Sequence, residues 1–230
     1  MKGRKEVRKM PRKILRNKEK ISAVKFFRDC FRMYSRIRLR LPGSVYDTDR
    51  ITLLCNTCLG GVILSDLHMR FNSPFVNLWM YPKDFLKACG DLTSYMEQPL
   101  VFIEDRREYP VALLGDVKIY FRHYHSRDEA AEAWERRKKR MSPDHLFILF
   151  SERNGCTYED LKAFDALPYA RKAVITIKEY PEIQPAVYIE GFEDEKASGI
   201  GTRYRKGGCR RYIDDFDYVE WFRSGKIRRR

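Results

Sequence analysis

The stretch Cys55-Asn-Thr-Cys-Leu-Gly-Gly61, which follows the apolar run Ile51-Thr-Leu-Leu54, gathers residues that could do chemistry. Cys55 and Cys58 stand at the spacing of a metal or redox pair. No second such pair exists and the four histidines (68, 123, 125, 145) lack finger spacing, so neither a metal site nor a dithiol is expected. Cys58 alone could be a nucleophile, because the free amides of a strand-to-helix turn lower a thiol pKa and stabilise an oxyanion. It would need a base, and His123, at the end of a predicted strand, is the candidate. Cysteine is also among the residues most often simply buried, and packing beneath the turn is the favoured reading of Cys58. Gly60 and Gly61 permit close backbone approach and open a helix whose amides favour an anion, while Asn56 could cap that helix or bind a hydroxyl.

Other polar groups join these as ligand-binding candidates. Asn72 and Ser73, ahead of Pro74, could bind sugar hydroxyls or merely cap a turn. Arg136 and Arg140 are four apart, so they share a helix face and, with Arg137 beside them, could grip a diphosphate. Glu129, Glu132 and Glu135 offer the alternative of an ordinary salt-bridged surface. Asn154, in an Asn-Gly pair after a predicted strand, is expected at the same edge as Asn56. Asp214 and Asp215 are adjacent, which points their side chains apart, and no aspartate-x-aspartate motif supports a divalent metal.

These residues need a scaffold. Strands are expected at 51–55, 74–80, 100–103, 111–114, 117–122, 146–150, 173–177 and 186–189. Helices are expected at 61–68, 82–96, 127–140, 158–164 and 214–222. Ser126-Arg-Asp-Glu129 is a capping box, Thr157-Tyr-Glu-Asp160 a close variant, and Pro82 suits a first helical turn. Alternating strands and helices predict an α/β fold: a mostly parallel, Rossmann-like sheet with helices on both faces, a hairpin through Gly115-Asp116, and room for a smaller lobe in the later part of the chain.

The net charge of +14 over 230 residues is concentrated at one end. Residues 1–43 hold 16 Lys and Arg against 3 acids, a net of +13, so the body, 44–225 with a short basic tail at 226–230, is nearly neutral. Within that arm Val24, Phe27, Phe31, Tyr34, Ile37 and Leu41 recur at helical spacing and stop at Pro42-Gly43, the signature of an amphipathic helix. Its apolar stripe could dock on the body and leave the arginines solvated, or lie against an anionic membrane; nucleic acid is the weakest of the three expectations. No run of apolar residues is long enough to span a bilayer. The start does not resemble a signal peptide and the six cysteines are scattered, so a cytoplasmic location is expected, with peripheral contact at the inner face of the membrane if the arm binds lipid.

Taken in order, the Cys55–Gly61 segment, Arg70-Phe-Asn-Ser-Pro-Phe-Val-Asn-Leu78, Ile119-Tyr-Phe-Arg-His-Tyr124, Trp134-Glu-Arg-Arg137, Phe164-Asp-Ala-Leu-Pro168 and Phe216-Asp-Tyr-Val-Glu-Trp221 resemble the bacterial domain-of-unknown-function family 1919, over about residues 51–222. The resemblance implies a cytoplasmic α/β protein of capsule or exopolysaccharide biosynthesis. The family's opening motif reads roughly Ser-Asn-Asn-Cys-Trp-Gly-Gly. Asn56, Cys58, Gly60 and Gly61 match it, and Cys55, Thr57 and Leu59 depart, so a CxxC pair is not what the family pattern implies. The expected function is a transferase acting on a sugar or sugar phosphate, with a nucleotide sugar or lipid-linked sugar as substrate and no cofactor identified. Asn56, Gly60 and Gly61 would hold the ligand, His123 would move a proton, and Arg136 and Arg137 would neutralise phosphate. The alternatives are a cysteine hydrolase or acyltransferase built on Cys58 and His123, and a non-enzymatic polysaccharide- or nucleic-acid-binding module.

Overall fold

The structure, a computed structural model, describes residues 12–191, 200–206 and 208–228. The first eleven residues of the basic arm, and Arg229 and Arg230 of the tail, lie outside the described residues. The arm forms α1 (Arg12–Arg40). The body then runs β1 (Thr52–Cys55), α2 (Leu59–Asp66), α3 (Pro82–Gly90), α4 (Leu92–Glu97), β2 (Leu100–Ile103), β3 (Val111–Leu114) and β4 (Val117–Tyr120). It continues with α5 (Arg127–Lys138), β5 (Leu146–Ser151), α6 (Tyr158–Ala166), β6 (Lys172–Thr176), β7 (Ala186–Tyr188) and α7 (Tyr218–Ser224).

Four strands form a parallel sheet in the order β1-β5-β6-β7, and β2-β3-β4 form a small antiparallel sheet from the middle of the chain. The parallel strands read as nearly unbroken apolar runs because both faces are covered. Leu53, Cys55, Phe147, Leu149, Ala173 and Ile175 face α2 and α7. Leu54, Ile148, Phe150 and Val174 face α3, α5, α6 and the second sheet. Each fully buried phenylalanine, such as Phe147, contributes about 1.5–3 kcal/mol by removing its ring from water.

The helix starts follow the expected signals: Ser126 accepts from the Glu129 amide, and Thr157 and Asp160 bond reciprocally. Four expectations are corrected. The segment 74–80 is not a strand, because Ser73 Oγ takes the Phe75 amide and Asn77 turns left-handed at φ +62°; Trp79 alone bridges Tyr120. The helix expected over 82–96 breaks at Gly90, where Asp91 (φ −140°, ψ 60°) leaves helical geometry and caps α4 through the Ser94 amide. The helix expected over 214–222 is a 3-10 turn, Tyr212–Asp215, followed by α7, whose cap is Asp217. Finally, the apolar stripe of α1 does not dock with the arginines in water. Arg32 and Leu39 are buried, whereas Phe27, Tyr34, Ile37 and Leu41 are exposed.

Candidate functional site

At the carboxyl edge of the parallel sheet the chain leaves β1 for the face carrying α2 and leaves the adjacent β5 for the face carrying α6. Adjacent strands whose continuations part to opposite faces leave a crevice above their ends, the usual ligand position in open α/β sheets. Asn56 stands at the end of β1, fully buried. Its Nδ2 donates to the Ser151 carbonyl (3.3 Å) and its Oδ1 accepts from the Ser151 amide (3.0 Å), so both of its polar atoms tie β1 to the end of β5. The Asn56 carbonyl in turn accepts from the Met80 amide at 3.0 Å. Asn56 is thus a strut under the crevice floor.

The two glycines meet protein rather than open space. A Cβ on Gly61 would lie 2.0 Å from Asn77 Oδ1, and one on Gly60 would lie 2.8 Å from Cys55 Cβ. The close approach expected to admit a ligand at Gly60 and Gly61 is instead used by the protein itself: the room that they make is occupied by Asn77 and Cys55, which lets α2 sit close against the sheet. Cys55 is wholly buried and its thiol is pushed up to about 11 by that burial, against the amides and hydroxyl near Thr57 and Gly60.

Cys58, half-buried at the N-cap of α2, has its thiol raised by burial, with the Arg122 guanidinium pulling partly the other way. His123 is exposed in the turn after β4, and partial burial together with Arg122 lowers its pKa. Arg122 therefore acts on both, which puts the end of β4 on the side of the β1 turn; among the described residues Cys58 and His123 share no hydrogen bond. Asn154 (φ +60°) and Gly155 (φ +80°) form an exposed left-handed turn after β5, at the same edge. Beside them Glu152, passed over in the sequence, is buried. It accepts from the Ile177 amide (2.8 Å) and the Tyr180 hydroxyl (2.5 Å), joining the ends of β5 and β6.

Asn72 and Ser73 do not join this group. Asn72 Nδ2 donates to the carbonyls of Asp49 (2.8 Å) and Ile51 (3.1 Å) at the amino end of β1, and Ser73 is fully buried.

The arginines form a second cluster. Arg137 donates to the Val76 carbonyl (2.8 Å) and the Tyr124 hydroxyl (2.6 Å), and Arg140 donates to the Phe71 carbonyl (3.3 Å). Both reach the 71–76 segment that passes β1. Burial, then the charges of Arg70, Arg136 and Arg137, lower the pKa of Arg140. Among the described residues none of these four arginines has a carboxylate within ion-pair distance, and the expected local partners Glu129, Glu132 and Glu135 do not reach them. Four guanidinium groups gathered without counter-charge are electrostatically costly alone and favourable around a phosphate.

An aromatic group also escaped the sequence. Trp79 packs 4.5 Å from both Tyr81 and Tyr120, with the Arg107 guanidinium 4.4 Å over the Tyr120 ring. Tyr81 is exposed and Trp79 half-buried, one residue from the Met80 that bonds Asn56. The only cue available was the density of aromatics in 79–81 and 119–124; the bridge between Trp79 and Tyr120 joins segments forty residues apart.

Comparison with known proteins adds a family and a relative. The family model described as "Domain of unknown function (DUF1919)" matches residues 25–223. An uncharacterized protein of Haemophilus influenzae is 44% identical over 172 residues, covering 75% of this chain and 84% of that one.

Proposed function

The chain belongs to the DUF1919 family, and from that premise we propose that it is a transferase of capsule or exopolysaccharide assembly that acts on a phosphate-bearing sugar. The observation that carries this reading is the arginine group Arg70, Arg136, Arg137 and Arg140, whose charge calls for an anion with several oxygens, such as a sugar phosphate or the diphosphate of a nucleotide sugar. The exposed Tyr81 beside the half-buried Trp79 supports a sugar, whose C–H face stacks on aromatic rings. His123, held neutral at physiological pH by its lowered pKa, suits proton transfer to or from a hydroxyl. Asn154 lies at the carboxyl crevice, the opposite end of β1 from Arg140, and stands outside the phosphate site.

A thiol raised by burial is protonated at neutral pH, which disfavours Cys58 as a nucleophile. Cys58→Ser is therefore expected to keep ligand binding and turnover, whereas loss of turnover in a folded Cys58→Ser protein would favour the hydrolase reading.

The test is a thermal-shift screen of sugar phosphates and nucleotide sugars. A ligand at a hundred times its Kd stabilises by about 2.7 kcal/mol, a rise of about 5–10 °C for a chain of this size. Arg136→Ala with Arg140→Ala should abolish the shift and leave the unliganded melting temperature within about 2 °C. A shift that survives this double substitution, or no shift with any phosphate-bearing sugar, refutes the proposal.

A further inference from the structure

Helix α1 is mounted with its apolar side outward. At about 100° per residue, Phe26, Phe27, Met33, Tyr34 and Ile37 fall within an arc of roughly 120°, and Leu41 follows just past the helix end. All six are at least half exposed, Phe26 at 63% and Ile37 at 52%. The rest of the helix surface faces the body through Leu39, buried in the core, and through charge. Arg32, 5% exposed, bonds both oxygens of Asp214 (2.6 and 2.7 Å) and the Tyr218 hydroxyl; Arg36 donates to the Asp66 carbonyl; Arg38 pairs with Asp217 at 2.8 Å. A surface helix of a globular protein ordinarily does the reverse, burying its stripe and solvating its arginines. Here the fold accepts the desolvation of a buried ion pair in an orientation that leaves six large apolar side chains in water.

We propose that this outward face of α1 binds the surface of an anionic lipid bilayer. The rings of Phe26, Phe27 and Tyr34 would enter the headgroup region beside Ile37, with the body on the far side of the helix. Charge complementarity selects this occupant over a second copy of the chain. The first 43 residues carry a net +13, with Arg40 exposed beside the stripe, so two such helices repel while phosphate headgroups attract. The stripe also keeps heptad spacing only from Phe27 to Leu41, short of a stable coiled coil. No helix among the described residues is long and apolar enough to cross a membrane, so the contact is peripheral. This inference does not rest on the proposed transferase activity.

The experiment is flotation of the full-length protein with vesicles of phosphatidylcholine alone or mixed with phosphatidylglycerol. The protein should float with the mixed vesicles and not with phosphatidylcholine, and raising salt from about 0.1 M to about 0.5 M should weaken binding. Phe27→Ser with Ile37→Ser should cut partitioning at least about tenfold with an unchanged melting temperature, because both side chains already face water. Should that pair unfold the protein, Tyr34→Ser gives the same reading at a smaller drop. Equal flotation with both vesicle types, flotation with neither, or a lipid-free dimer dissolved by the Phe27→Ser and Ile37→Ser pair would overturn the proposal, the last by assigning the stripe to a second copy.

Discussion

Removing the Asp214 carboxylate should destabilise the protein more than any other single surface-helix contact. Its side chain is fully buried and accepts four bonds: from Arg32 Nη1 (2.6 Å), Arg32 Nη2 (2.7 Å), the Tyr218 hydroxyl (2.9 Å) and the Arg211 amide (2.5 Å). Asp214→Ala strands the Arg32 guanidinium, itself nearly inaccessible, whose Nε lies 3.2 Å from Asp66 without the alignment of a hydrogen bond. The Tyr218 hydroxyl, raised by burial and the Asp214 charge, loses its acceptor as well. Breaking a buried pair by removing one partner costs about 3–5 kcal/mol. In urea, with a slope of about 1–3 kcal/mol per molar, the midpoint should fall by at least about 1 M. Replacing both partners, Arg32→Met with Asp214→Leu, should recover most of the loss, since apolar groups of similar volume need no counter-charge. A loss under about 1 kcal/mol for Asp214→Ala, or a double substitution as unstable as the single one, refutes the view that this pair clamps α1 to the body.

Asn56→Ala should cost about 2–4 kcal/mol, because two buried groups of Ser151 lose their partner at once, and chemical denaturation measures it directly. Gly61→Ala should cost about 1–3 kcal/mol through the clash with Asn77, and Asn77→Gly, which also suits φ +62°, should remove most of that penalty in a double-mutant cycle. His123 should titrate below about 6.5 by NMR, and Arg122→Ala should raise its midpoint, because the positive charge of Arg122 opposes protonation.

Much of the scaffold was legible in the sequence because its signals are local. The apolar runs of β1, β5 and β6, the Ser126 and Thr157 caps and the Gly115-Asp116 turn each declare themselves within a few residues. The misplacements arose where a distant partner overrides a local pattern. Residues 74–80 alternate like a strand, yet Asn77 turns back against Gly61 and Arg137 takes the Val76 carbonyl. The α1 stripe has the spacing of a docking face, but docking is decided by Asp66, Asp214 and Asp217, which the chain supplies far downstream.

The site divided along the same line. Asn154 and Arg136 are exposed, and Asn56 stands at the end of β1, but its amide is occupied by Ser151, a pairing no spacing reveals. Asn72 sits at the other end of β1 because its partners are the carbonyls of Asp49 and Ile51. Glu152 and the Trp79–Tyr120 contact were invisible for the same reason, each drawing its meaning from a partner in another segment.

The most direct measurement of the central claim is a crystal structure of the protein with a bound nucleoside diphosphate sugar. Its phosphate oxygens should lie within hydrogen-bonding distance, about 2.7–3.2 Å, of the guanidinium groups of Arg136 and Arg140, beside Arg70. Phosphates seated elsewhere, with those arginines holding none of their oxygens, would contradict it.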